Sequence, residues 1–513
     1  MQFLKDLPVL ILGLGDSGLA MARWCARCGA SVTVWDSRED APQAAALQTD
    51  VPTARRIAAL PAALGGEGSP RLVLKSPGLS PHDPLVAPLL EEAGAAGVAV
   101  LGELDLFVRA LADLKSERGH QPKLIAITGT NGKTTTTAMT ALLVERTGRS
   151  VAMAGNIGPT LLDTLAARLD DLPAVWVLEL SSFQLEGGGS GVRGFEPDAA
   201  AVLNVTQDHL DWHGSMAAYA AAKARVFGAN AVMVVNAEDP RVMAMVPAPV
   251  PAKGVKGNQG KPVERSVLRF ALAAPQRPGD FGLVVENGMA WLVRALPPEE
   301  TVKRPRRGAA EEPVEIHLQR LMPADALRVR GRHNAANALA ALALASAIGC
   351  PLAPMLHGLR EYAGEPHRVQ WVATVGEVEA YDDSKGTNVG ATVAALDGLG
   401  ADKAPARLVV ILGGEGKGQD FAPLTAPLAR HARAVATLGR DAAAVEAVIE
   451  GVPFQRHATL ESAVAWCFEQ ARPGDAVLLS PACASLDMFR NYGHRAEVFV
   501  QAVQALAHER GQA

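Results

Sequence analysis

The run LIAITGTNGKTTTT, residues 124–137, holds the residue types that handle phosphate. Leu124 to Thr128 are apolar or β-branched and predict a buried strand. Gly129, Asn131 and Gly132 predict a tight turn, and a helix is expected to start at Lys133. Backbone N–H groups and a helix N-terminus then converge at the end of a strand, where they can hold an anion. Thr130 and Thr135 lie on the same loop. Lys133 can reach terminal phosphates as a point charge, and the Thr134 hydroxyl suits Mg²⁺. The general phosphate-loop pattern wants a glycine five residues before Gly132, where this chain has Ile127. An ordinary glycine-rich turn is the alternative, but lysine and hydroxyl directly after Gly132 favour an ATP site. Further along, Glu179 and His209 are oxygen and nitrogen donors suited to Mg²⁺ or Mn²⁺.

Three sections position these groups. The first covers 1–114. PVLILGLGDSGLAMARWCARCGASVTVWD reads as strand, glycine-rich turn, amphipathic helix and second strand, with Gly13, Gly15, Gly18 and then Asp36. This is the spacing of a dinucleotide fingerprint, in which the acid bonds a ribose hydroxyl. Taken alone it suggests an NAD-dependent oxidoreductase, yet the same backbone geometry serves any diphosphate. LVLKSPGLSP (72–81) adds a strand and a Ser76-Pro77-Gly78 turn at the same sheet edge, and LKSERGHQP (114–122) reads as a linker.

The second section, 115–364, alternates strands and helices, so a mostly parallel sheet is expected. Asn156, Glu179 and His209 each follow or close a strand, and would gather at the carboxyl edge. Residues 253–320, rich in Pro, Gly and charge and including KRPRRG, read as a surface insertion. GRHNAANALAALALASAIG (331–349) returns to a helical pattern. The third section, 365–513, repeats strand-then-turn units and predicts a second doubly wound α/β domain whose loops close on the central one, hinged near 360–368.

Bulk properties frame this reading. A chain of 513 residues exceeds one hydrophobic core. Apolar content of 49%, with 20% charged residues, is that of a globular protein. A formal charge of −5 gives no reason to expect nucleic acid or membrane as a partner. Neither a signal peptide nor a transmembrane helix is expected. Five cysteines form no disulfide framework, which suits a reducing cytoplasm. Cys25 and Cys28 read as helix neighbours rather than a metal or redox pair.

GTNGKTT, with two residues between its glycine and the GK pair, resembles the Mur ligases and the related folylpolyglutamate synthetases. GLGDSG, SPGLSP, AGNIG, LELSSFQLE, LNVTQDHLDWHG, YAAAKARVF, PHRVQ, DDSKGTN, GGEGKGQDF and SPACASLDMF extend the resemblance, in order, through all three sections. Within the Mur ligases they are similar to the D-glutamate-adding branch. The resemblance implies an α/β protein of three domains. These are an N-terminal Rossmann-like UDP-binding domain, a central P-loop-like ATPase domain and a C-terminal Rossmann-like domain for the amino acid. It further implies a monomeric, cytoplasmic, ATP-dependent ligase of peptidoglycan precursor synthesis. Such an enzyme joins D-glutamate to UDP-N-acetylmuramoyl-L-alanine through an acyl phosphate.

Carried over position by position, Gly15, Asp16, Ser17, Ser37, Arg38, Ser76, Gly78 and Asn156 would border the UDP moiety. Gly129 to Thr135 would hold the ATP phosphates, with Asn337, His367, Arg368 and Asp383 lining the nucleotide. Thr134, Glu179 and His209 would hold two Mg²⁺ ions, and Lys223 matches a lysine that carries a carbamate, an anion that would also support a metal. Lys385, Thr387, Ser485 and Tyr492 would surround D-glutamate. Asp16 stands where the family has an apolar residue, Glu415 where aspartate is common, and Tyr492 where phenylalanine is. A sister Mur ligase, a folylpolyglutamate synthetase, an NAD-dependent oxidoreductase and a non-catalytic nucleotide-binding regulator remain the alternatives.

Overall fold

The computed structural model describes residues 2–511 except 62, 65, 67, 188–190, 251–263, 298–315 and 330. KRPRRG lies outside them. The first sheet contains β1 (Pro8–Leu12), β2 (Ser31–Trp35), β3 (Arg55–Ile57), β4 (Leu72–Lys75) and β5 (Ala99–Leu101). They run parallel in the order β3-β2-β1-β4-β5. The turn after β1 is as tight as its glycines suggest. Gly13 has φ +87°, and a Cβ on Gly18 would fall 2.0 Å from Gly13 O. The helix Asp16–Arg27 can therefore pack directly on the strand only with glycine at position 18. Cys25 lies within that helix and Cys28 caps it, with no disulfide between them.

The central sheet contains β6 (Lys123–Thr128), β7 (Val151–Gly155), β8 (Val175–Glu179), β9 (Ala199–Val202) and β10 (Val232–Asn236). It continues through β11 (Val267–Phe270), β12 (Phe281–Glu286), β13 (Met289–Leu296) and β14 (His317–Pro323), in the order β14-β13-β12-β11-β10-β9-β6-β8-β7. The surface insertion expected over 253–320 is thus corrected for its described part. β11 joins β10 in parallel, and β12 to β14 form an antiparallel meander at the sheet's edge. The apolar and β-branched runs FGLVVE and MAWLVRAL carry this, and the surrounding Pro, Gly and charge conceal it. The linker expected at 114–122 also shortens, because the helix Glu103–Arg118 runs through its first half and ends on Gly119 in the left-handed region.

The first two sheets share one apolar core. It runs from Leu4 and Trp24 through Phe107 to Trp176 and Val242, and the Phe107 and Trp176 rings meet edge-on at 5.1 Å. The helix Arg332–Ala347 is buried along nearly its whole length and carries Asn334 and Asn337 in its first turns. The third sheet has order β15-β16-β20-β17-β18-β19. Its strands are β15 (Gln370–Val375), β16 (Val378–Asp382), β17 (Leu408–Gly413), β18 (Ala432–Leu438), β19 (Phe454–Arg456) and β20 (Ala476–Leu479). All pairs are parallel except β15 with β16, and apolar clusters cover both faces. Among the described residues no helix is long and apolar enough to cross a membrane.

Gly18→Ala is expected to destabilise the protein by about 1–3 kcal/mol, the range for forcing extra volume into a packed interior. A urea midpoint unchanged from wild type would show that the turn and helix are not in close approach.

Candidate active site

The phosphate-type loop begins where β6 ends. Gly132 has φ +82° and precedes the helix Lys133–Arg146, and a Cβ there would sit 2.5 Å from Asn337 Oδ1. The chain after β9 pins the loop in place. Thr130 N donates to Asn204 O at 3.0 Å, and Asn131 N donates to Asn204 Oδ1 at 2.8 Å. The Thr130 hydroxyl pairs with Tyr219 Oη at 3.2 Å.

Two lysines meet at this loop. Lys133 Nζ donates to Gly129 O and Thr130 O, each at 2.9 Å, and Lys223 Nζ donates to Gly129 O at 2.8 Å. Burial lowers the pKa of both, that of Lys223 well below the ordinary lysine value. Lys223 also lies 4.5 Å from the centre of the Tyr219 ring.

Glu179 closes β8 and is 1% exposed. Its Oε1 accepts from Asn156 Nδ2 at 2.8 Å, whereas its buried Oε2 has no partner among the described residues. His209 sits at φ 52°, and burial holds its pKa at about 4, so the imidazole is neutral near pH 7. A buried carboxylate oxygen without a partner and a neutral imidazole are donors that a divalent cation takes, whereas the Thr134 hydroxyl already accepts from Arg368. No three His, Cys, Asp or Glu side chains converge among the described residues. Mg²⁺ here would therefore take further oxygens from phosphate and water.

The third domain reaches this loop directly. Arg368 Nη2 donates to Thr134 Oγ1 at 2.9 Å, and Lys385 Nζ lies 3.3 Å from the same oxygen. Asn131 and Asn388 exchange amide hydrogen bonds of 3.2 and 3.0 Å. Burial lowers Lys385 to about 8 and raises Asp383 to about 7. Asp383 accepts from Ser480 Oγ at 2.6 Å. His367 Nδ1 pairs with Asp382 at 2.6 Å, and its ring stands edge-on to Tyr492. Lys385 lies over the Tyr492 ring at 5.5 Å. Ser485 is buried on the chain leading to Tyr492, and Thr387 is half-buried beside Lys385.

A cavity of about 330 Å³ opens beside the loop, lined by Gly132, Thr135, Asn337, Arg368 and Asp383. Leu203, Phe270 and Leu272 supply its apolar wall. Those three, with Asp208, Tyr219 and Asn388, are missing from the sequence reading. Two had a usable signal: Tyr219 stands four residues before Lys223, on one helix face, and Asn388 ends DDSKGTN. The apolar wall comes from separate strands and has no local signature.

In the first domain Gly15 precedes the helix Asp16–Arg27, with Ser17 in its first turn. Gln43 donates to Asp16. Asp36 does not present a free carboxylate to a ribose. Leu14 N donates to its Oδ2 at 2.7 Å, and Arg38 grips both oxygens at 2.9 Å. Ser37 is exposed beside this clamp, and Ser76 packs against Gly13. A side chain on Gly78 would meet open space. Asn156 turns its amide onto Glu179, so it joins the substrate side to the loop.

Fold and loop together define a three-domain α/β protein with a phosphate-type loop where the second and third domains meet. Family models match along the chain: the Mur ligase MurD-like N-terminal domain over residues 8–102, the Mur ligase middle domain over 127–261, and the Mur ligase glutamate ligase domain over 367–483. UDP-N-acetylmuramoylalanine--D-glutamate ligase of Albidiferax ferrireducens is 61% identical, covering 100% of this chain and 99% of that one. The protein of the same name from Burkholderia cenocepacia is 55% identical over 98% of each chain. Among solved structures, MurF ligase from Thermotoga maritima in complex with ADP has a TM-score of 0.57 at 15% identity. It covers 98% of this chain and 96% of its own. UDP-N-acetylmuramate-alanine ligase MurC from the same organism has a TM-score of 0.56 at 18% identity, covering 97% and 99%. The chain belongs to the Mur ligase family.

The Asp36 clamp has a pH signature. Chiefly through Arg38, and then the Leu14 and Arg38 backbone N–H groups, its carboxyl is held at about 2 against burial. An unfolded aspartate titrates near ~3.9. The clamp therefore adds stability above pH ~4 that is lost as pH falls towards ~2. Asp36→Asn should flatten this acid limb of a Tm-against-pH curve, and an unchanged limb would refute the clamp.

Proposed function

We propose that this ligase joins D-glutamate to UDP-N-acetylmuramoyl-L-alanine, driven by ATP, in peptidoglycan precursor synthesis. The observation that carries the reading is the meeting of Lys133, Arg368 and Lys385 around Thr134. It occurs in a chain matched end to end by relatives of that name.

The residue roles are those that the family resemblance implies. The first-domain edge, with Gly15, Asp16, Ser17, Ser37, Arg38, Ser76 and Gly78, takes the UDP moiety, and Asn156 borders it. The loop Gly129–Thr135 takes the ATP phosphates, and the neighbouring cavity, with Asn337, Arg368 and Asp383, takes the nucleoside; His367, which pairs with Asp382 outside that lining, helps close the site on it. Lys385, Thr387, Ser485 and Tyr492 take D-glutamate. Glu179, His209 and Thr134 would hold Mg²⁺, which supplies neutralisation of phosphate charge. Lys223 is held in a state suited to a carbamate. Burial disfavours its charged form, and the neutral amine adds to CO₂, forming an N–C bond and releasing a proton, so that a neutral group becomes an anion.

The reaction is then one of positioning. A carboxylate is a poor electrophile, so the γ-phosphoryl group passes to the lactyl-L-alanine carboxylate and forms an acyl phosphate. Lys133 and Arg368 balance the charge on the transferring group. The amine of D-glutamate attacks the acyl carbon, and the tetrahedral intermediate collapses with loss of phosphate. No side chain acts as a nucleophile; the three domains bring the reactants together.

Phosphate release from ATP and Mg²⁺ is expected only when UDP-N-acetylmuramoyl-L-alanine and D-glutamate are both present. L-Glutamate, L-lysine or meso-diaminopimelate should not replace D-glutamate; release with one of them would move the protein to another step of the family. Lys133→Ala should lower kcat by at least ~10²-fold, the scale for losing one preorganised charge-stabilising donor. For Lys223, ¹³C-bicarbonate should give a carbamate carbon signal in NMR that Lys223→Arg lacks. The same spectrum from both proteins would remove the carbamate from this account.

A further inference from the structure

Lys75 is a buried lysine that the ligand roles above leave unused. It ends β4, is 4% exposed, and immediately precedes the Ser76-Pro77-Gly78 turn. Its ammonium donates to Leu79 O at 2.9 Å and lies 3.5 Å from Ser76 O, so it braces that turn from within. Another face of the ammonium lies 5.2 Å from the centre of the Trp212 ring, in the second domain.

Trp212 belongs to the four-residue helix Leu210–His213, which starts directly after His209 in its left-handed conformation. The Trp212 indole lies 3.4 Å from Glu186 Oε2 and packs on Phe183 with centroids 4.3 Å apart. Phe183 in turn touches the His209 ring at 4.8 Å. A continuous chain of contacts thus runs from the substrate turn through Lys75, Trp212 and Phe183 to His209. Taking an ammonium out of water is costly, and only specific partners offset it. Here those partners are the turn's own carbonyls, the opposite charge of Glu186, and the Trp212 face, the strongest kind of ring for a cation. With its donors so directed, Lys75 acts on the turn and not on a ligand.

We propose that the Lys75–Trp212 contact is an interdomain latch. It makes Lys75 a positioning residue that couples occupation of the first domain's substrate turn to the setting of His209 for its cation. The inference rests on the functional reading above, which places the UDP moiety at the turn and the metal at His209. Coupling between two sites is reciprocal and is measured as a change in affinity.

The test is a Mn²⁺ titration of the full-length protein with a non-hydrolysable ATP analogue, with and without saturating UDP-N-acetylmuramoyl-L-alanine. In wild type the muramoyl substrate should tighten Mn²⁺ binding at least ~5-fold, the lower end of ordinary coupling between sites. Lys75→Met should bring the tightening below ~2-fold. Lys75→Arg, which keeps a cation on the ring, should retain it. Retention of the wild-type tightening by Lys75→Met overturns the proposal. So does a wild type that binds both ligands with no tightening. If Lys75→Met does not fold, Trp212→Phe decides in the same terms, because it keeps a ring on Phe183 while weakening the hold on Lys75. Folded wild type that binds no muramoyl substrate at all would instead overturn the functional reading, and the latch with it.

Discussion

One peptide oxygen organises the centre of the molecule. Gly129 O accepts from Lys133 and from Lys223, so two groups that carry positive charge in water converge on a single neutral acceptor. Each disfavours the charge of the other, and burial disfavours both. Arg368 and Lys385 bring further cations to Thr134, five residues along the chain from Gly129 and in the first turn of the helix. Glu179 and Asp208 offset this only in part. A region so arranged stabilises a polyanion strongly, because the groups are fixed before it arrives and water competes little. The surrounding fold serves that arrangement: Asn204 and Tyr219 hold the loop's shape, and Asn337 leaves no room for a side chain at Gly132.

The sequence made the local parts of this design legible. GTNGKTT is a strand-to-helix turn whose groups lie within a few residues of one another, so its local geometry can be read from the sequence. The glycines of GLGDSG report a tight backbone approach, and the structure has it; for GTNGKTT the structure likewise has the expected turn into a helix at Lys133. Asp36 shows the limit of such reading. Residue type and spacing describe an acid available to a ribose, whereas its oxygens are taken by Leu14 and Arg38. Whether a side chain is already occupied depends on neighbours the motif does not list. The Asn131–Asn388 exchange joins residues 257 positions apart, and no periodicity announces a contact of that kind. The strands β11 to β14 were hidden for another reason: their apolar runs are short and set among turn-forming and charged residues that dominate the composition.

The joins between domains differ in kind. The first and second share an apolar core, with Phe107 and Trp176 packed across it, so water is excluded along their contact. The third meets the second at the phosphate loop largely through polar groups: two amides exchanging hydrogen bonds, and two cations on one hydroxyl. An interface of exchangeable hydrogen bonds separates at small net cost, since water replaces what is lost. An apolar core does not. The third domain is thereby the one suited to admit and release ligands, while the first two act as a fixed bed.

The meander at the edge of the central sheet has a bearing on where such a chain can vary. β14 is the last strand on its side, and six strand spacings separate it from β6, a distance of about 29 Å at roughly 4.8 Å per spacing. Leu296, which ends β13, and His317, which starts β14, face each other across this antiparallel pair, far from the phosphate loop. A substitution in β14 accordingly acts on one strand pair, so this rim of the sheet can vary while the parallel strands leading to Lys133, Glu179 and His209 hold their register.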